Sequence, residues 1–259
     1  MIFCAVSVVD ANWKQWLEAI GDMRVVRGLE CSASFLVSTP DFQAAAKRDN
    51  LRISHARDLL PADMARYLTE SPALGRGDVL DCLKKTLAQC QACGVESVCL
   101  QMGLDRIGDA TFDHDMNERV RLLRALMPAA DRHKLTVCLR VRHPRAFPGS
   151  KEWERAAHLV HEVMHPCCRL ALDFFPAEVP PDHDLEELIR SCCFHVGVVR
   201  FHYTPSLGET LDAASQARWA KLLQQHGYKG AVVFCPNVTE EDGIATACEK
   251  IDQWAEAYA

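Results

Sequence analysis

Long apolar runs are missing from this 259-residue chain. The N-terminal IFCAVSVVD is too short to cross a bilayer or to make a full signal peptide, and no basic leader precedes it. It reads as a buried first strand, so a cytoplasmic protein without a membrane partner is expected. Excess positive charge is missing too. The net charge is −6 and the pI is near 6.0, which favours no nucleic-acid partner. No GxGxxG or GxxxxGKS/T loop follows a candidate strand, and this counts against a nucleotide-binding sheet. Cysteine is plentiful, with 13 in the chain, but zinc-ligand spacing is lacking. Cys90-Gln-Ala-Cys93 has no second pair, and no His pair, at zinc-finger distance. Most cysteines lie in apolar runs, where a free thiol packs as a small hydrophobe. Reduced structural thiols are expected.

What is present is alternation. The chain is 49% hydrophobic and 25% charged, an ordinary globular balance. Apolar, β-rich runs are predicted as strands at Ile2–Val9, Val25–Cys31, Arg52–His55, Ser97–Met102, Thr136–Arg142, Leu170–Phe174, Val196–Tyr203 and Ala231–Cys235. Between them lie helical patterns, clearest at Asp78–Cys93, Asp115–His133, Lys151–Met164, Ala213–His226 and Asp242–Tyr258. Asp113 and Thr239 are candidate N-caps, and Gly94 and Gly227 natural stops. Strands alternating with helices predict a parallel sheet with helical crossovers. Eight repeats over residues 1–259 suit a single (β/α)8 barrel, with a doubly wound sheet as the alternative. The segments Phe35–Leu51 and Leu59–Arg76 could cover the barrel mouth or sit in an interface. Arg145–Ser150 reads as a loop at the same face.

Strand parity then sorts the side chains, because alternate residues face opposite ways. Val137, Leu139 and Val141 belong on the helix-facing side, so Arg140 and Arg142 point into the barrel. By the same rule Asp173, Arg200, His202, Glu30, His55, Gln101 and Cys235 point inward. The C-terminal mouth, where barrel active sites sit, is expected to collect Glu30, His55, Gln101, Arg142, Asp173 and His202. Arg140 and Arg200 are expected one layer deeper. Three arginines against two carboxylates would leave either a set of structural ion pairs or an excess guanidinium ready for an anion.

Taken in order, GLECS around Glu30, RISHA around His55, LALDFFP around Asp173, RFHYTPSLGETLD around His202 and HGYKGAVVFCP before Cys235 resemble the xylose isomerase-like barrels. That superfamily includes sugar isomerases, ketose 3-epimerases and endonuclease IV. The resemblance implies a divalent cation held by Glu, Asp, His and Glu on strands five to eight. It also implies two glutamates that move protons, and a substrate His three residues after the Asp. Asp173 and His202 match. Arg142 stands in place of the first Glu, Cys235 in place of the last, and Pro176 in place of the substrate His.

One Asp and one His are too few for a hard dication. A guanidinium about 4 Å away would repel it by several kcal/mol. No metal and no other cofactor is therefore expected. The remaining proton carriers are His202, His55, Cys235 and Glu30, with histidine best matched to neutral pH. The catalytic candidates are His202, His55, Arg142 and Asp173. The ligand-binding candidates are Glu30, Gln101, Arg140, Arg200 and Cys235. Two readings follow: a metal-free isomerase- or epimerase-like barrel for a small polyhydroxy or anionic ligand, or a non-catalytic barrel that binds a ligand or acts as a scaffold. An endonuclease role would need more His and carboxylate ligands and a basic face. Oligomeric state is open, with a homo-oligomer as an option.

Overall fold

Eight parallel strands close on themselves, with β1 (Phe3–Ser7) paired to β2 (Gly28–Ser32) on one side and to β8 (Ala231–Pro236) on the other. Between them run β3 (Arg52–Arg57), β4 (Ser97–Leu100), β5 (Thr136–Arg142), β6 (Cys168–Phe174) and β7 (Val196–Tyr203), each paired with its sequence neighbours. This computed structural model describes residues 2–26, 28–69, 76–142, 152–175, 194–203, 213–238 and 241–259, and the Arg142 side chain is outside that description. Closure excludes the doubly wound alternative: the fold is a (β/α)8 barrel.

The described helices are α1 (Trp13–Gly21), α2 (Ala33–Ser38), α3 (Pro40–Arg48), α4 (Ala62–Thr69), α5 (Arg76–Ala92), α6 (Phe112–Arg132), α7 (Glu152–Val163), α8 (Ala213–Gln225) and α9 (Glu241–Ala255). Two expectations change here. The segment Phe35–Leu51 is no lid. It contains most of α2 and all of α3, and Leu36, Phe42 and Ala46 bury their side chains in the core around the barrel. Short crossover helices carry too few turns for a clear 3.6-residue stripe, which hid them in the sequence. The N-cap of α6 is Thr111 rather than Asp113, which falls in the first turn, where its charge favours the helix dipole. Thr239, Pro176 and Arg145–Ser150 lie outside the described residues.

The barrel has two separate apolar layers. Val137, Leu139, Val141, Leu170, Leu172, Phe174, Phe201 and Phe234 face the helices in one continuous core. Inside the barrel a second, thin cluster holds Ala5, Cys99, Cys138, Ala171, Val198, Val233 and Cys235. Barrel interiors are packed layers of side chains. Small residues fill the middle layer here, and long arginines fill the space above it.

The lower end is tight as well. A Cβ on Gly28 would lie 2.6 Å from two Phe3 ring atoms and 2.8 Å from the Ala5 Cβ. Gly28→Ala is expected to cost about 1–3 kcal/mol through overpacking, read as a lower urea midpoint with an unchanged m-value. An unaltered midpoint would show that Phe3 gives way freely.

The described cysteines are all free thiols. Burial pushes Cys4, Cys90, Cys168 and Cys248 up to about 12. They are neutral packing groups at physiological pH, as apolar surroundings dictate.

Candidate functional site

The barrel's upper interior is a chain of alternating charges. Arg200 on β7 grips Glu30 on β2 through two bonds, Nε to Oε2 at 3.2 Å and Nη2 to Oε1 at 2.6 Å. Its third nitrogen, Nη1, donates to Asp173 Oδ1 on β6 at 2.6 Å. Arg140 on β5 continues the chain, with Nε and Nη2 on Asp173 Oδ2 at 3.0 and 2.9 Å. His202 Nε2 lies 2.9 Å from Asp173 Oδ1. Glu30, Asp173 and Arg200 are nearly inaccessible, at 0%, 3% and 2% exposure. Parity brings Glu30, Arg140, Asp173, Arg200 and His202 together, since all five face inward on strands that wrap one narrow lumen.

Burial alone would raise the Glu30 carboxyl, but the Arg200 charge and its hydrogen bonds, with Arg57 and His55 behind them, hold it at about 2. Burial likewise opposes ionisation of Asp173, and Arg200, His202 and Arg140 together push it well below the ordinary carboxylate range. Both are ionised at neutral pH because each is bound to a guanidinium.

A second tier closes the mouth. Arg57, at the end of β3, donates to Asp10 Oδ1 and Val8 O at 3.2 Å, and to Ser7 Oγ at 3.4 Å. Asp58 lies 3.6 Å from Arg140 Nη1 and 3.5 Å from Arg57 Nε. Phe175 stacks on the His202 ring, with centroids 4.2 Å apart and planes at 14°. Arg57, Asp58, Arg140, Phe175 and His202, with Cys235 and Asn237, line a cavity of about 310 Å³.

Arg57, Asp58, Asp10 and Phe175 were missed in the sequence. Arg57 carried a usable signal: it stands two residues beyond His55 and shares its parity. Ending the third strand at His55 hid it. Phe175 shares the parity of Asp173 in the same way.

The structure redistributes the expected site residues. Asp173, His202, Arg140 and Arg200 converge. Arg142 is set opposite Asp173 by backbone register, and the described guanidinium groups on that carboxylate are those of Arg140 and Arg200. Glu30 does not reach the mouth cavity, because Arg200 covers it. His55 is not at the mouth at all. β3 continues to Arg57, and His55 pairs with Ser97, the first residue of β4. It therefore lines a cavity at the N-terminal end of the barrel, with Phe3 and Ser97.

Gln101 is exposed and borders a neighbouring cleft with Asp10, Ser32 and Asp58. Cys235 does line the mouth, but it is no thiolate base. Burial drives its thiol up to about 12, and the nearby Arg200 and Arg140 do not offset this. Nor is there a surplus guanidinium among the described side chains of the mouth, since Asp10 and Asp58 answer Arg57 and Arg140.

A divalent cation does not fit this arrangement. An ionised carboxylate has about four lone-pair positions, and Asp173 accepts four contacts, three of them from guanidinium nitrogens. The only nitrogen of His202 near Asp173 already faces the carboxylate. Among the described residues no group of three or more His, Cys, Asp or Glu could hold a metal ion.

No family model and no curated protein sequence matches the chain. Solved structures do. A 3-keto-D-glucoside 4-epimerase from E. coli superposes with a TM-score of 0.73 at 16% identity, over 98% of this chain and 99% of that one. The IolI protein, solved with a bound zinc atom, gives 0.70 at 14% over 100% and 99%. A xylose isomerase domain protein from Alicyclobacillus acidocaldarius gives 0.70 at 13% over the same shares. At such identities the likeness is one of fold.

Proposed function

We propose that this chain, a barrel with the xylose isomerase-like fold, binds a small polyhydroxy ligand at its C-terminal mouth without a divalent metal. The observation that carries this reading is the saturation of Asp173 by Arg140, Arg200 and His202. A fixed internal cation does what a metal would do electrostatically, and it leaves no oxygen for one. The cavity of about 310 Å³ is of monosaccharide size. Its wall mixes donors and acceptors of both signs, Arg57, Arg140, Asp58, Asn237 and Ser7, around the Phe175–His202 stack. Balanced charge favours a ligand rich in hydroxyls over a multiply charged anion, and an aromatic face suits the C–H face of a sugar ring. The sugar-epimerase neighbour supports the same ligand class.

Calorimetric titration with Mn²⁺, Mg²⁺ and Zn²⁺ is expected to show no stoichiometric binding. Thermal shifts with D-fructose and D-gluconate are expected to be positive, larger than that with fructose 6-phosphate, and to weaken in Arg57→Ala and Arg140→Lys. Stoichiometric metal binding that disappears in Asp173→Asn would overturn the metal-free reading.

One observation favours a second reading, that of a catalyst. Asp173 holds His202 through Nε2 at a cavity wall, which leaves Nδ1 as the nitrogen that could exchange a proton with a ligand. On this reading, incubation with a bound sugar in D₂O should place deuterium on a sugar carbon, and His202→Asn should abolish that exchange at unchanged melting temperature. No exchange in the wild-type protein leaves the binding barrel standing alone.

A further inference from the structure

We propose that the N-terminal end of the barrel holds a second site, for a small hydroxylated organic anion, between Phe3, His55, Ser97, Arg169, Phe194 and Lys229. These residues line a cavity of about 500 Å³. It opens at the beginnings of the strands, where Phe3, Ser97, Val196 and Ala231 stand, so it is separate from the mouth.

Two buried polar groups point to a ligand rather than to an idle dent. Ser97 is 8% exposed, and its Oγ is buried without any hydrogen-bond partner among the described residues. A buried hydroxyl left unmade costs about 1–3 kcal/mol. His55 is 3% exposed and stacks near Phe3, with centroids 6.1 Å apart. Its Nδ1 lies 2.7 Å from Ser54 Oγ, which itself donates to Leu29 O at 3.4 Å. Having given its one proton to that carbonyl, Ser54 accepts from Nδ1–H, so the neutral ring keeps Nε2 as an acceptor. Burial, with Arg200 and Arg52, keeps the ring neutral against the pull of Glu30, holding His55 at about 4. The cavity thus offers a hydroxyl and an acceptor side by side, which suits a ligand O–H.

The rim supplies the charge. Arg169 donates to two backbone carbonyls, Pro166 O at 3.1 Å and Phe194 O. Carbonyls do not neutralise a guanidinium. Neither Arg169 nor Lys229 has a carboxylate partner among the described residues. The one carboxylate bordering the cavity, Glu96, is paired with Arg52. The rim is therefore cationic by about two charges, which attracts an anion. Phe194 is 76% exposed and borders the same cavity, giving an apolar wall for a ligand's carbon skeleton. Gly197 and Gly230 also border it, but the backbone already demands them: a Cβ on Gly230 would lie 2.2 Å from Gly197 O. They keep that wall free of side chains and are not in themselves a sign of a ligand.

The test is titration of the whole chain with 4-hydroxybenzoate, glycerol 3-phosphate and inorganic phosphate, followed by calorimetry and by the His55 imidazole NMR signals. Both hydroxylated anions are expected to bind and to shift His55. Lys229→Ala and Arg169→Ala are each expected to weaken them about tenfold or more, as loss of a charged donor does. Ser97→Ala is expected to weaken the hydroxylated anions but not inorganic phosphate. Lys229→Ala is the safeguard against misfolding, because it removes no described hydrogen bond. His202→Asn lies at the other end and should change none of these affinities, so failure here is distinct from failure at the mouth. The proposal is overturned if neither hydroxylated anion binds at about 10 mM, a ceiling near −3 kcal/mol. Binding that survives both cation variants, or that is lost in His202→Asn, overturns it too.

Discussion

Arg200→Met is expected to destabilise this protein by about 3–5 kcal/mol, the cost of leaving buried charge uncompensated. For a chain of this length that is a drop in melting temperature of roughly 6–20 °C. The reason is position rather than the count of bonds. Arg200 is 2% exposed and is the only described side chain that touches both Glu30 and Asp173. Its removal strands Glu30, which is wholly buried and has no other salt-bridge partner among the described residues. Asp173 keeps Arg140 and His202. Glu30→Gln combined with Arg200→Met should therefore recover much of the loss, because residues in one network do not act additively. Urea unfolding of the wild type, the single variant and the double variant measures this. A single-variant loss below about 1 kcal/mol would mean that water or a shifted side chain repairs the site.

Acid should unfold the protein in two steps, and the upper step belongs to His55. Its native value is about 4 against an ordinary 6.5. Above 6.5 neither the folded nor the unfolded chain protonates this ring. As pH falls from 6.5 towards 4, the unfolded chain binds a proton that the native one refuses, so stability declines. The integrated loss is roughly 3 kcal/mol.

The lower step comes from the carboxylates. Glu30 is held at about 2 against an ordinary 4.5. Its contribution is complete above 4.5 and is lost as pH falls from there through 2; Asp173 acts in the same direction. His55→Gln should flatten the slope between 6.5 and 4.5 and leave the lower step in place. Urea midpoints measured across that range decide it. Identical slopes in the variant and the wild type would assign the upper step to other histidines.

Much of this was legible in the primary structure. Period-2 strands alternating with helical stripes led to the barrel, because each βα unit must bury one sheet face under its own helix. Parity placed Arg140, Asp173, Arg200 and His202 inside, and it is insensitive to what lies across the lumen. The resemblance, with Arg142 and Cys235 where it implies glutamates, led only to an expectation of no metal, which the calorimetric titration tests.

Depth and partnership were not legible. Parity says in or out, but not how far up the barrel a residue stands. That height depends on where each strand ends and on inter-strand register, including the shifts at Leu29/Glu30 and Leu170/Ala171. For this reason His55, which looked like a mouth residue, stands at the far end, and Arg57 takes the upper position. Which cation meets which carboxylate is a matter of a few ångströms across the lumen, between strands far apart in sequence. The composition of the interior was thus determined by the sequence alone. Only the closed barrel decided that Arg200 joins Glu30 to Asp173 and that Arg140 completes the chain, because charges buried in a narrow lumen must find partners there.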